Sequence, residues 1–472
     1  MNYCALPLFW KSAFCFGGFM AQGKELKRSM KSRHIMMISI GGTIGTGLFL
    51  GAGATIGAAG PLGAIIAFAF GGLVMFMVLL SLAEMAVKEP VTGSFYQYAV
   101  KYLSPGTGFV CGWMYWLNWA LAATAGFTAA GIIMNSFLPS IPVWIWCAIF
   151  AIVLAFINMI SAKAYGETEF WFAGIKVIAI VCFVIIGALM IFGVVPSSSS
   201  IVGWKNFVAD GLFPNGFSAV FLTMIAVVYS FQGAELIGIA AGECENPGKN
   251  VPRVINGVGV RIILFYILSV AALAAIVPWK DAGVLESPFA VVFSMAGLPI
   301  AYSLMSFVVL TSALSANNGA LYACSRLLWS MANEGMAPKF FAKVNSRGVP
   351  YMGMFLTLAV AALSLLTQKY AAGTVYIWLM ACTGISGSLV WIIISLCHFS
   401  FRRELAKNGE KVADLEYRTP FYPVVPVLSV IFNFVVIGAL YFDPNQQVTL
   451  ISGLAAVALL YIGYWVKEKI TK

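Results

Sequence analysis

Three short stretches of this chain combine residue types and spacings that can do chemistry. The first is Gly41-Gly42-Thr43-Ile44-Gly45-Thr46-Gly47, with four glycines in seven residues inside an apolar run. Each glycine costs ~1 kcal/mol in a helix interior, so the spacing predicts unwound backbone there. The second is Phe231-Gln232-Gly233-Ala234-Glu235, which sets a carboxylate well inside another apolar run. The third is Lys176, seven residues after Glu169, or about 10 Å along a helix.

At the first stretch, free N–H groups at Ile44, Gly45, Thr46 and Gly47 would open a half-helix whose positive dipole end favours an anion such as a carboxylate. Carbonyls ending the preceding half-helix near Thr43, and those near Tyr229, Phe231 and Gln232, can accept from an ammonium group. One pair of unwound segments thus reads both ends of a zwitterion, the constant part of an amino acid. Selectivity for a side chain then falls to Gln232, Glu235 and the cluster Trp113-Met114-Tyr115-Trp116-Leu117-Asn118. That cluster lies near the start of an apolar run and fits an interfacial aromatic belt equally well. The glycines also have a plainer use, close helix packing through small residues, against which the matched interruption beside Glu235 weighs.

A charge as deep as Lys176 costs ~3 kcal/mol on insertion scales and defaults to a functional hypothesis. A buried lysine can exchange a proton near neutral pH, and its ammonium can stand where a coupling sodium would otherwise bind. Snorkelling past Glu169 or Glu167 toward water is the structural alternative. Ser312 and Ser315 offer hydroxyls beside such a site, or packing contacts between helices. Glu235 can read a cationic substrate, take part in proton coupling or gating, or cap unwound backbone. Glu84 precedes Lys88 by four residues, which reads as an interfacial helix pair.

These residues must be positioned by membrane helices. Of 472 residues, 61% are hydrophobic and 10% charged, against roughly 45–50% and 25% in soluble domains. A water-soluble enzyme is excluded, and at ~20 residues per span the chain makes about twelve. Apolar stretches fall at 35–57, 61–87, 106–134, 143–161, 169–193, 216–242, 256–277, 298–324, 350–367, 373–398, 423–441 and 447–466. On alternating sides, 24 of the 28 Lys and Arg fall on one side and three on the other, with Lys176 inside a span. The net charge of +10 is therefore a topology signal rather than a sign of nucleic-acid binding, and it places both termini in the cytoplasm.

The organisation is a cytoplasmic N-terminal segment at 1–34, of which 1–19 reads as a mis-assigned start, then a transporter core at 35–398. A basic cytoplasmic loop at 399–422 and two last helices with a cytoplasmic C-terminus at 423–472 follow. Spans one and six carry the interruptions and occupy corresponding positions if helices 1–5 and 6–10 are two repeats. Such a pair points to an inverted-repeat transporter with its site at the membrane midplane. Nine cysteines without CxxC pairs predict neither disulfides nor a metal, and His34 and His398 read as interfacial. A membrane enzyme has too few convergent side chains, and no channel filter is visible. No cofactor is expected, and no obligate protein partner is evident.

The stretches LKRSMKSRHIMMISIGGTIGTGLFLGAG, GETEFWFAGIKV, FQGAELIGIAAGECENPGKNVPR and LSANNGALYACSRLLWSMANEG, with Gly93-Ser94-Phe95, resemble the bacterial amino acid permease family of the amino acid–polyamine–organocation superfamily. The similarity runs from about Lys24 to the end. It reads closest to lysine and S-methylmethionine permeases, with aromatic amino acid permeases further away. The resemblance implies an all-α membrane protein with twelve transmembrane helices, ten of them in a LeuT-like 5+5 inverted repeat with broken helices 1 and 6. It implies import of an amino acid across a bacterial inner membrane by proton symport with alternating access. By motif, Ile44 to Gly47 match the carboxylate-binding break, Lys176 the lysine proposed to replace sodium, and Glu235 the span-six glutamate implicated in cationic substrate binding or coupling. Neutral or aromatic substrates, antiport, and a transporter-like nutrient sensor are the alternative readings.

Overall fold

Ser104 and Ser161 each sit just before a long apolar run, and each caps it: their hydroxyls accept from Thr107 N at 3.1 Å and Ala164 N at 3.0 Å. The computed structural model describes residues 30–197, 202–282, 288–368, 370, 372–444 and 446–471. Among them, ten helices have the length and apolarity to cross a membrane, so the chain is a multi-pass, all-helical membrane protein.

The first interrupted segment is α1 (Ser32–Thr43) and α2 (Thr46–Phe49), continued by α3 (Gly51–Lys88). α3 runs through a kink where Gly60 takes φ 77° before Pro61, a conformation open to glycine. Next come α4 (Phe95–Tyr102), α5 (Pro105–Phe137), α6 (Val143–Ile160) and α7 (Ala162–Ile191). The second interrupted segment is α8 (Met224–Phe231) and α9 (Leu236–Ala241), followed by α10 (Pro247–Asn256). A π-helical turn at Ile262–Ile267 leads into α11 (Leu268–Ile276). Further along come α12 (Pro299–Asn333), α13 (Met352–Ala361), α14 (Ala372–Lys407), α15 (Val424–Ala439) and α16 (Gln447–Thr471).

Two of the twelve expected spans are not among the ten: the one split into α1 and α2, and the short one at Met352–Leu366. Of the residues in Met224–Ala241, 94% are buried, against 11% in the most apolar 18-residue window of Gln447–Ile470, which puts the second break at the centre and α16 on the outside. Around that centre α1 packs on α7, α5 on α12 and α14, and α8 on α3 and α14.

Several expectations are corrected. Lys88 does not pair with Glu84; it reaches Glu410 at 2.6 Å. Glu84 is buried and accepts from Arg402 Nη2 at 2.8 Å and Thr419 N at 2.6 Å, with His398 Nε2 3.2 Å away. An arginine and a backbone N–H held in the protein are better partners for a buried carboxylate than a lysine free to extend into solvent. His34 and His398 are enclosed by protein, His34 Nε2 lying 3.1 Å from the partly exposed Glu167. Glu169, Glu243 and Arg326 are buried charges too, in addition to Lys176 and Glu235. The stretch 1–29 with its basic residues, Lys369 and Lys472, all used in the charge count, lie outside the described residues.

Candidate functional site

The two breaks meet. A Cβ on Gly42 would stand 2.7 Å from Gly233 O, and one on Gly233, where φ is 105°, would stand 2.1 Å from Gly42 O. Only backbone without side chains can approach so closely. Between them the Tyr266 hydroxyl lies 2.7 Å from Thr43 O and 3.0 Å from Ser230 O, so one side chain holds the end of α1 to the end of α8.

A cavity of ≈ 30 Å³ opens at this crossing, lined on the α1–α2 side by Gly42, Thr43, Gly45, Thr46 and Gly47 and on the α8 side by Tyr229, Ser230 and Gln232. Trp119, Ala122 and Gly126 of α5, at helical spacing, and Ala316 and Asn317 of α12 complete the wall. On the measure by which one water needs ~10–15 Å³, the cavity has room for about two or three waters. Gly45, Thr46 and Gly47 open α2, whose first bonds run from Leu48 N and Phe49 N to Gly45 O. The expected set narrows here: Ile44 N already donates to Ile40 O at 3.1 Å, because α1 runs one residue further than the glycines suggest.

The carbonyl of Ile44 faces the other way. Lys176 Nζ donates to Ile44 O at 2.9 Å, to Gly41 O at 2.6 Å and to Ser315 Oγ at 2.8 Å. Ser312 Oγ donates to the same Ile44 O at 3.0 Å. Lys176 is fully buried, and its ammonium is directed into the break, which excludes snorkelling. The three acceptors satisfy all three of its N–H groups.

Glu235 does not line the cavity. Its carboxylate accepts from Gly233 N at 3.2 Å, Tyr115 OH at 3.3 Å and Trp391 Nε1 at 3.4 Å. Phe231 is packed on Tyr266 and Phe68, so its side chain is core. Gln232 does line the cavity, held by Asn118 Nδ2 at 2.9 Å and bonded to Thr383 O at 3.3 Å. Thr46 Oγ1 and Tyr229 OH stand 3.3 Å apart. The aromatic cluster divides by helix face: Tyr115 and Asn118 support Glu235 and Gln232, whereas Trp113 bonds Met336 O and Trp116 bonds Thr357 Oγ1.

Trp119, Asn317 and Glu169 are the residues that sequence reasoning missed. Trp119 is one position beyond the cluster singled out, and its spacing to Ala122 and Gly126 was the usable signal. Glu169 bonds Ser315 and lies 3.9 Å from Lys176.

The sequence profile described as amino acid permease matches residues 34–472. The chain belongs to the amino acid permease family. The permease is 47% identical to the amino-acid permease RocE of Bacillus subtilis (strain 168), covering 95% of this chain and 96% of that one. It is 45% identical to a putative histidine permease of the same organism, with 95% of each chain covered. Identity to the lysine-specific permease LysP of Escherichia coli (strain K12) is 40%, over 93% of the permease and 91% of LysP.

Proposed function

We propose that this permease imports an amino acid across the bacterial cytoplasmic membrane by proton symport. It would work by alternating access in a twelve-helix, LeuT-like fold of two inverted five-helix repeats with both termini in the cytoplasm. The observation that carries the reading is Lys176: a buried ammonium bound to the carbonyls of the same break whose N–H groups line the cavity. Protonated, it bonds Gly41 O and Ile44 O with charge-assisted strength. Deprotonated, it loosens them, so occupancy by a proton and the shape of the substrate site are linked.

The carboxylate of the substrate lies on Gly45, Thr46 and Gly47, and its ammonium on carbonyls near Thr43 and from Tyr229 to Gln232. Ser312 and Ser315 support the coupling site. Glu235, held by Tyr115 and Trp391, serves as a gate. A cationic or sulfonium side chain, as in lysine or S-methylmethionine, contacts it when the gate opens. The cavity wall itself carries no carboxylate, which favours a neutral side chain as the second reading. A competition screen of the common amino acids against one labelled substrate decides between them. Uptake into proteoliposomes with and without an inward proton gradient tests the function: gradient-dependent accumulation is expected, and no accumulation of any amino acid would sink it.

A further inference from the structure

Glu169 lies on α7 two turns from Lys176 and is enclosed by protein. Its Oε1 accepts from Ser315 Oγ, and Ser315 Oγ in turn accepts from Lys176 Nζ at 2.8 Å. A single hydroxyl thus stands between the ammonium and the carboxylate, placed to take a proton from one and give its own to the other. Glu169 is buried, with Asn318 beside its carboxylate.

The buried polar groups continue away from the break. One turn along α7 the Tyr165 hydroxyl is buried and unpartnered. The Tyr165 ring stacks on Tyr322 with centroids 4.1 Å apart. The Tyr322 hydroxyl donates to Glu243 Oε1 at 2.8 Å, and Arg326 Nε lies 2.9 Å from that oxygen. Glu243 ends this series where its carbonyl accepts from Met30 N at 3.2 Å, just before α1. On the α1 side the charged neighbours are His34, packed on Gly166, and Arg33, both bound to Glu167.

We propose that Glu169 exchanges the coupling proton with Lys176 through Ser315, on the side of the break where the buried groups Tyr165, Tyr322 and Glu243 lie, the cytoplasmic end in the proposed topology. This rests on the reading of Lys176 as the coupling site. In the step, an N–H bond of the ammonium breaks and its proton joins Ser315 Oγ while the serine proton moves to Glu169 Oε1. A neutral amine and a neutral carboxylic acid result, so no net charge is created in the membrane interior.

The test uses the full-length permease in proteoliposomes holding a pH-sensitive dye, with an equimolar mixture of the common amino acids as the probe. Wild type, Glu169→Gln, Glu169→Asp and Lys176→Ala are compared for substrate counterflow, gradient-driven accumulation, dye acidification and its pH profile. For Glu169→Gln, counterflow is expected to persist at a lower rate while accumulation and acidification fall at least tenfold, and Glu169→Asp is expected to recover part of both. Wild-type accumulation and pH profile in Glu169→Gln, with both lost in Lys176→Ala, would overturn the relay and leave the coupling reading intact. Proton-driven accumulation by Lys176→Ala would overturn the coupling reading itself. Loss of counterflow in both Glu169 variants would assign the residue to structure and also overturn the relay.

Discussion

At the break between α1 and α2 the groups left over by the helix are the carbonyls of Gly41 and Ile44, and the Lys176 ammonium meets them. At the break between α8 and α9 it is the Gly233 N–H, and the Glu235 carboxylate meets it. Each unwound segment has therefore drawn a buried charge of the sign its free backbone groups prefer. Their surroundings differ. Lys176 shares a hydroxyl with an acidic side chain, so a proton has somewhere to go. Glu235 is surrounded by donors, Tyr115 OH, Trp391 Nε1 and Gly233 N, which hold it in place. In the proposed mechanism, exchange belongs to the first break and closure to the second.

The contact between the two breaks is the most sensitive point in that scheme. Gly233→Ala puts a Cβ against Gly42 O at a backbone conformation that L side chains rarely adopt. A loss of more than tenfold in transport, or of folded protein on size-exclusion chromatography, is expected. Wild-type uptake by this variant would mean that the breaks do not need to touch. Glu235→Gln should have the next largest effect, since its amide turns a donor toward donors, at a cost of about 1–3 kcal/mol. Thermal unfolding and equilibrium binding check it, and unchanged values for both would remove Glu235 from the gate.

Tyr266→Phe removes the hydroxyl between Thr43 O and Ser230 O without changing the packing, which should cost about 1 kcal/mol and slow transport several-fold. An unaltered uptake rate would show that the two breaks move independently of this link. The smallest effect is expected for Lys88→Ala. Its bond to Glu410 joins side chains 41% and 43% exposed, and such pairs contribute about 0–1 kcal/mol. A large loss of thermal stability there would show that the basic end matters more than the breaks.

Composition and apolar run lengths made the helices readable, and the glycines around Thr43 and Gly233 made both breaks readable, because such residues are unfavourable in a continuous helix. Lys176 and Glu235 stood out because each interrupts a long apolar run. Glu169, Glu243 and Arg326 did not, since they lie near the ends of apolar runs, where sequence suggests the interface; burial there comes from neighbouring helices. Glu84 shows the same limit from its partner's side, for nothing local pairs it with an arginine more than 300 residues away. The cavity wall on α5 was nearly legible, and the error was to take six consecutive residues where the helix presents one face.

The central claim is that Lys176 couples a proton to the substrate break. Its most direct test is accumulation of a labelled amino acid by Lys176→Ala proteoliposomes as the inward proton gradient is varied, with counterflow as the measure of intact protein. The account predicts counterflow with accumulation that no longer responds to the gradient. Accumulation that rises with the gradient as in wild type would contradict it.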